Sequence, residues 1–270
     1  MSAETMLAFD TNCHLFIPGC GFESPGLHSF VFKPLFTVGG FEFNKPMLLA
    51  LLSTVVVVWF FWAAFGRAKV VPGKLQMIGE AGYDFVRRGL VYDALGKKEG
   101  DKYVPFMVSL FFFVWIMNIW SIVPVAAFPV TSIIAFPLGL ALIVYILWMS
   151  LTFKKHGFVG ALKNLSGYDK SLGWVLPLIM VLELLQHLLI RPFTHAVRLF
   201  ANMFAGHMLI LMFTIASWYL LNGIGIVYAS ASFVMTIVMT AFELFIQAVQ
   251  AYVFVLLACN YVQGALAENH

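Results

Sequence analysis

The sequence predicts an all-α polytopic membrane protein with about three steep spans, a surface amphipathic helix and a C-terminal hairpin of long, strongly tilted helices. Hydrophobic residues make up 61% of the chain and charged residues only 11%, whereas soluble domains carry about 25% charged residues. Several apolar runs also reach the length that a hydrocarbon core of about 30 Å requires. A bilayer is therefore the expected solvent for most of the chain.

The first 45 residues mix proline, glycine and aromatic residues, and they predict an extracytoplasmic tail with little regular structure. They lack the basic start and apolar run of a signal peptide. Cys13 and Cys20 form a disulfide if the tail faces an oxidising compartment, or they stay free thiols. No cysteine spacing in the chain indicates a metal site.

Residues 46–270 predict a single membrane domain that begins with a span at 46–66. The segment that follows, 67–102, carries eight Lys and Arg residues, which predicts that it is cytoplasmic. Apolar residues recur in it at helical spacing, so an amphipathic helix is expected at the membrane surface. These apolar residues are Leu75, Ile78, Ala81, Phe85 and Val86.

Two further spans are predicted at 103–123 and 131–153, the second with a kink at Pro137. The turn between them, at 124–129, contains no Lys or Arg, and a polar cytoplasmic loop with four lysines is expected at 154–171. Positive charge collects on the cytoplasmic side of a membrane. The N-terminus is therefore expected outside, and the C-terminus in the cytoplasm.

Residues 172–222 and 226–266 predict the two arms of the hairpin, joined near Asn222-Gly223. The second arm contains no proline and would extend for roughly 60 Å as a continuous helix, which is twice the thickness of the hydrocarbon core. Either helix protrudes into water, or both helices lie strongly tilted. Apolar residues continue along both arms, which favours the tilted hairpin.

Ionisable residues within these apolar arms are candidates for function. Placing a charged side chain at the centre of a membrane helix costs about 2.5–3.5 kcal/mol or more of free energy. Such residues are therefore rare and usually functional. In this chain they collect in the C-terminal third: Glu183, His187, Arg191, His195, Arg198, His207 and Glu243.

Arg198 stands out because a guanidinium stays protonated at physiological pH and acts as a fixed positive charge. It lies on a helix face of small residues that permits another helix to approach closely: Ala201, Asn202, Ala205 and Gly206. A carboxylate of another subunit is the expected partner. In the alternative, Arg198 snorkels to the membrane surface or pairs with Glu183 or Glu243 inside the chain.

The last helix carries its own polar stripe. Glu243, Gln247 and Gln250 follow each other at i, i+4 and i+7, and Tyr261 lies near the same stripe. Such a stripe lines water, or forms a hydrogen-bond network between helices.

Histidines and one carboxyl group in the hairpin are candidates for proton exchange. His207 titrates near neutral pH, and an antiparallel hairpin would bring it to Glu243. His187 and His195 are haem or metal ligands or, as we favour, hydrogen-bonded structural histidines.

The segment Arg198-Leu-Phe-Ala-Asn202-Met-Phe-Ala-Gly206 resembles the Arg-Leu-Phe-Gly/Ala-Asn-Met/Ile-Phe/Tyr-Ala-Gly motif of the ATP synthase a subunit family. Three further stretches are similar to that family, and the resemblance covers nearly everything after residue 45. These stretches are residues 71–76, Met117-Asn118 with Pro124, and residues 247–254 with Gln250.

The resemblance implies a non-catalytic, proton-translocating stator subunit of a bacterial F-type ATP synthase in the plasma membrane. Its implied partners are the rotor ring of c subunits and the b-type peripheral stalk subunits, with no cofactor, metal or nucleic acid. Arg198 would face the ring carboxylate, with Asn202 and Gln250 beside the proton path. Glu183 would lie near the cytoplasmic exit.

The sequence departs from the family pattern at three positions. Well-known bacterial members carry Glu nine residues after the arginine and His seven residues before the glutamine, whereas this chain has His207 and Glu243. Ser121 stands where related chains often have Asp. Two rival functions remain: a secondary ion transporter, which typically has internal repeats and broken helices, and a haem- or metal-dependent membrane enzyme, which needs paired ligands.

Overall fold

The computed structural model describes residues 25–26, 30, 36–38, 41–66, 69–123, 126–165, 176–221 and 225–266. Four helices in these ranges are long and apolar enough to cross a membrane. This confirms the predicted all-α polytopic membrane fold. Cys13, Cys20 and the expected hairpin turn at Asn222-Gly223 lie outside the described residues.

A small antiparallel hairpin precedes the membrane domain. Strand β1 (Phe36–Val38) pairs with strand β2 (Phe41–Phe43), so that Phe36 lies opposite Phe43. Aromatic and β-branched residues favour extended backbone. This part of the predicted irregular tail is therefore regular.

Helix α1 (Lys45–Phe65) contains 21 residues and is followed by the surface-exposed helix α2 (Lys74–Val86). Pro46 lies in the first turn of α1, where its missing N–H removes no intrahelical bond. Helix α2 continues through a π-helical turn (Arg87–Tyr92) into α3 (Asp93–Gly100). Several apolar side chains of α2 are exposed, as expected of a helix at a membrane surface: Leu75, Met77, Ile78 and Phe85.

The segment that contains α2 and α3 also carries paired charges. Arg87 bonds to Asp101 at 3.1 Å and donates to the Tyr92 hydroxyl at 2.6 Å, and Tyr92 also donates to Asp101. The Tyr92 hydroxyl and the Arg87 guanidinium lower the pKa of the Asp101 carboxyl group. Among the described residues, all ion pairs found lie between Asp84 and Lys102. Exposed pairs of this kind contribute little stability.

Helix α4 (Val104–Ile119) contains 16 residues, and α5 (Ala135–Leu165) contains 31. The predicted kink at Pro137 is wrong, because this proline lies in the first turn of α5, where it is tolerated. The break instead falls at Gly157, whose φ of 66° favours glycine. The predicted loop 154–171 is helical as far as Leu165 for the same reason: the backbone turns at Gly157 and helix resumes.

The residues around this break are tied to the end of the last helix. Lys155 donates a hydrogen bond to the Leu266 carbonyl, and His156 lies 3.2 Å from the Ala265 carbonyl oxygen. The terminal carbonyls of a helix lack intrahelical partners. Basic side chains from α5 therefore cap the C-terminus of that helix.

Helix α6 (Leu176–Leu185), a π-helical turn (Gln186–Ile190) and α7 (Arg191–Tyr219) form one continuous apolar span of 44 residues. The π-helical turn ends two residues before Pro192, which cannot donate a backbone hydrogen bond to the preceding turn. Helix α8 (Ile226–Leu266) has 41 residues. If straight, each span would be about twice as long as the hydrocarbon core of a membrane is thick, which is about 30 Å.

Helices α7 and α8 run antiparallel, as predicted. His195 contacts Phe254 of α8, Asn202 contacts Gln250, and Gly206 contacts Glu243. The residue numbers therefore rise along α7 as they fall along α8. The most buried apolar side chains lie where α8 packs on α4 and on α7, and include Met107, Met117, Leu199, Met203 and Phe254.

We expect Gly79→Leu to destabilise the junction of α1 and α2. A Cβ atom at Gly79 would lie 2.9 Å from Ala64 Cβ, so a larger side chain must push the helices apart. Overpacking of this kind costs about 1–3 kcal/mol, which should lower the unfolding temperature of the detergent-purified chain.

Gly89→Leu is the matched control, because nothing lies within 4 Å of a Cβ atom at Gly89. Both substitutions replace a glycine by leucine within a helical segment. Equal unfolding temperatures for the two variants would contradict the close packing of α1 on α2.

Candidate functional site

Several polar residues of the hairpin lie in the interior of the protein. On α7 the buried residues recur every three or four positions and include His195 and His207. On α8 the buried set includes Glu243, Gln247 and Gln250. The predicted polar stripe of α8 is therefore an interior stripe, where every polar atom requires a partner.

Arg198 differs from these residues, because it lies on the exposed side of α7 together with Ala201, Asn202 and Ala205. None of the ion pairs between described residues includes it. No ion pair between Arg198 and Glu183 or Glu243 is thus found in the described part of the chain. The fixed charge stands on an open face of small side chains.

Asn202 joins this open face to the interior. Its amide nitrogen donates a 2.6 Å hydrogen bond to Gln250 Oε1 on α8. The amide nitrogen of Gln250 is buried and has no partner among the described residues. A buried donor in this position calls for a water molecule or another acceptor, so the pair marks a polar break in the apolar hairpin.

A second group, which we call the carboxyl cluster, consists of Ser121, Glu243 and Gln247. The Gln247 amide nitrogen donates to Ser121 Oγ at 2.6 Å and to Glu243 Oε1 at 3.1 Å. Glu243 is only 2% exposed, and it packs on Gly206, where a Cβ atom would lie 3.4 Å from its Cγ and Cδ atoms. Gly206 thus lets the backbone of α7 approach the carboxyl group.

His207 does not form the expected contact with Glu243. Its ring lies edge-on to Phe30 and Phe128, with centroid distances of 6.0 and 5.7 Å. Neither His207 Nδ1 nor Glu243 Oε2 has a hydrogen-bond partner in the described part of the chain. Successive helix residues point about 100° apart, so Gly206 faces α8 and His207 is turned towards Phe128.

The other end of the hairpin contains an aromatic pocket lined by α5, α7 and α8. Its principal residues are Tyr145, Trp148, Arg191, His195 and Tyr261. The Arg191 guanidinium lies 5.8 Å from the centre of the Tyr261 ring, a cation–π distance. Tyr261 therefore belongs to this pocket, and it does not extend the hydrogen-bonded stripe of glutamines.

The histidines beside this pocket have internal partners. His195 Nε2 lies 3.1 Å from the Phe254 carbonyl oxygen, which favours its interpretation as a structural histidine. His187 stacks on Trp148, and its Nδ1 atom lies 2.8 Å from the Glu183 backbone carbonyl. The Glu183 side chain is half-buried, and no contact of its carboxyl group with the other site residues is among those found in the described ranges.

Arg198 therefore lies between two polar regions along α7. It follows His195 by about 4.5 Å and precedes Gly206 by about 12 Å of helix axis. The aromatic pocket lies on one side of the arginine, and the carboxyl cluster on the other. A mobile ion that used both regions would have to pass a fixed positive charge.

Some site residues have no sequence signal. Phe30, Tyr145 and Trp148 are ordinary aromatic residues in a chain with 16% aromatic content. Ser121 did carry a signal, since it departs from the family pattern at a position where related chains have Asp. Within the described residues no cluster of His, Cys, Asp or Glu is suited to a metal ion.

Comparisons with known proteins give a consistent result. The sequence model of the family described as ATP synthase A chain matches residues 47–263. A Streptomyces lividans protein named ATP synthase subunit a is 71% identical over 267 residues, covering 98% of this chain and 95% of its own length. Proteins with the same name from a Nocardioides species and Frankia alni are 37% and 38% identical, and each match covers more than 90% of this chain.

We expect the Asn202–Gln250 hydrogen bond to appear as energetic coupling between the two positions. Hydrogen bonds between membrane helices average about 0.6 kcal/mol and reach about 1.7 kcal/mol in double-mutant cycles. Unfolding of the detergent-purified chain should be measured for Asn202→Ala, Gln250→Ala and the double variant. The double variant should lose less stability than the sum of the single losses.

Gln247 provides the control cycle, because its hydrogen bonds go to Ser121 and Glu243 rather than to Asn202. Asn202→Ala and Gln247→Ala should therefore be additive. Additive losses in the Asn202–Gln250 cycle as well would show that this bond does not hold the hairpin together.

Proposed function

The chain belongs to the ATP synthase A chain family, and we propose that, within a bacterial F-type ATP synthase, it provides two proton half-channels to a rotor ring of c subunits. Its family makes it a non-catalytic membrane subunit of that complex. The proposal concerns what its membrane hairpin does there.

The observation that carries the proposal is the position of Arg198. A permanently charged guanidinium without an ion-pair partner among the described residues lies on an exposed face of an apolar helix. Such a charge is expensive in lipid. A carboxylate on a neighbouring chain would compensate it, and the small residues Ala201 and Ala205 leave room for that chain.

The two polar regions beside Arg198 suit the two half-channels. We assign the carboxyl cluster, His207, Asn202 and Gln250 to the path from the outside to the ring. We assign the aromatic pocket and Glu183 to the path from the ring to the cytoplasm. Unpartnered buried atoms on Glu243, Gln247 and Gln250 support water in the first path.

In this mechanism a proton arrives through the outer path and neutralises a ring carboxylate. The neutral site then rotates into lipid, which a charged site could not enter at acceptable cost. After nearly a full turn the site meets the inner path and releases its proton. Each charge that crosses the membrane yields about 2.3 kcal/mol per 100 mV.

Arg198 performs two tasks in this cycle. Its positive charge favours the ionised form of a nearby carboxylate, which promotes proton release. It also repels protons between the two half-channels, so that they do not cross without rotation. A guanidinium suits both tasks because it cannot give up its own proton.

The proposed orientation rests on the distribution of positive charge. Eight Lys and Arg residues in 67–102 and four lysines in 154–171 would lie in the cytoplasm. The tail would then lie outside, and the end of α8 in the cytoplasm. We further propose that both long arms of the hairpin lie tilted along the ring, and that b-type stalk subunits hold the chain stationary.

A stand-alone secondary transporter fits less well. Transporters of that kind typically bind substrate at interrupted helices near the centre of the membrane. Helix α8 is continuous over 41 residues, and the π-helical turn before α7 does not interrupt the backbone. No observation therefore favours this rival.

We expect Arg198→Ala to abolish ATP synthesis driven by a proton gradient, while the complex still assembles in the membrane. Removal of the fixed charge leaves ring carboxylates protonated and joins the two paths. Synthesis should be measured in inverted membrane vesicles, with the amount of assembled complex determined in parallel.

Arg88→Ala is the matched control, because Arg88 is exposed and forms only a surface ion pair with Asp84. This variant should retain synthesis. Gradient-driven synthesis by the Arg198→Ala complex would refute the proposed role of the arginine.

A further inference from the structure

We propose that Gln247 and Ser121 are positioning residues, which hold one oxygen of the Glu243 carboxyl group and leave the other oxygen free to exchange a proton. This inference rests on the proposed function, since it concerns a group on the outer proton path. It gives separate tasks to the three side chains of the carboxyl cluster.

The geometry makes the two carboxyl oxygens of Glu243 unequal. Oε1 accepts a 3.1 Å hydrogen bond from the Gln247 amide nitrogen, whereas Oε2 is buried without a partner among the described residues. The carboxyl group packs against Gly206, where α7 has no side chain in the way. One oxygen is thus anchored, and the other remains available.

Gln247 is itself held in place. It is fully buried, and its amide nitrogen also donates a 2.6 Å hydrogen bond to Ser121 Oγ. Ser121 lies just beyond the end of α4, and its hydroxyl oxygen accepts this bond. The three side chains therefore form a compact contact between α8 and the end of α4.

An amide is a suitable partner for a carboxyl group that gains and loses a proton. Because the proton binds Oε2, the other oxygen, Oε1, is an acceptor in both protonation states, and the amide nitrogen can keep its hydrogen bond to it. A lysine at this place would favour only the ionised form, and a leucine only the neutral form. The hydrogen bond to Ser121 keeps the amide nitrogen of Gln247, rather than its oxygen, turned towards Glu243.

The proton step is balanced. A hydrated proton from the outer side forms an O–H bond at Glu243 Oε2, and the carboxylate becomes a neutral acid. That bond breaks when the proton passes on towards the ring, and the carboxylate returns. The titratable residue of α7 next to this region is His207, whose ring is turned towards Phe128, and it is unchanged in the variants below.

The experiment compares assembled complexes that carry Gln247→Leu or Ser121→Ala in inverted membrane vesicles. Gradient-driven synthesis per complex should fall by roughly tenfold to a hundredfold in Gln247→Leu, as expected for loss of a hydrogen bond to a charged group. The loss should be greatest at the acid end of the working pH range, because the carboxyl group without its donor ionises less readily.

Two control variants separate positioning from structural damage. Gln263→Leu removes an exposed glutamine of the same helix and should leave the pH profile unchanged. Ser121→Ala should change the pH dependence of synthesis. Ser121→Thr keeps the hydroxyl group and should therefore retain the pH dependence of the wild type. Ser121→Ala also provides the test if Gln247→Leu does not assemble.

Unchanged synthesis in Gln247→Leu, or a loss of equal size at every pH, would overturn the positioning role. The Arg198→Ala complex in the same vesicles separates the two proposals. If it is inactive while Gln247→Leu behaves as wild type, only the positioning role fails. If Arg198→Ala supports synthesis, the proposed function itself fails.

Discussion

The structure depends on one unusual constraint, a guanidinium that keeps its charge within an apolar helical hairpin. Arg198 has no ion-pair partner among the described residues and lies on an exposed face of α7. A charge in lipid is stable only if the surroundings compensate it. We interpret three features as an environment for that charge: the small side chains beside it, the long hairpin and the polar regions on either side.

The interior of the hairpin is built to be polar at selected points only. The buried amides of Gln250 and Gln247 pair with the less buried side chains of Asn202 and Ser121, and several buried atoms have no partner among the described residues. Elsewhere the contact is made by apolar residues such as Leu199, Met203 and Phe254. Unpartnered polar atoms are thereby limited to a few positions along the interface.

Much of this arrangement follows from the sequence because membrane constraints are strong. Apolar length predicts the spans, and helical spacing predicts that Gln247 and Gln250 share a face with Glu243. The failures are local. Gly157, rather than Pro137, breaks α5, since a proline in the first turn disturbs nothing. The His207–Glu243 contact fails because spacing along a chain does not fix the rotation of a helix, and Gly206 takes the facing position.

The most direct test of the account is the structure of the complete complex in a membrane, with the rotor ring present. The measured quantity is the distance from the Arg198 guanidinium to the nearest carboxylate. We expect that carboxylate to belong to a ring subunit, with the aromatic pocket and the carboxyl cluster opening on opposite sides of the membrane. A guanidinium turned inward onto Glu183 or Glu243 of its own chain would contradict the account.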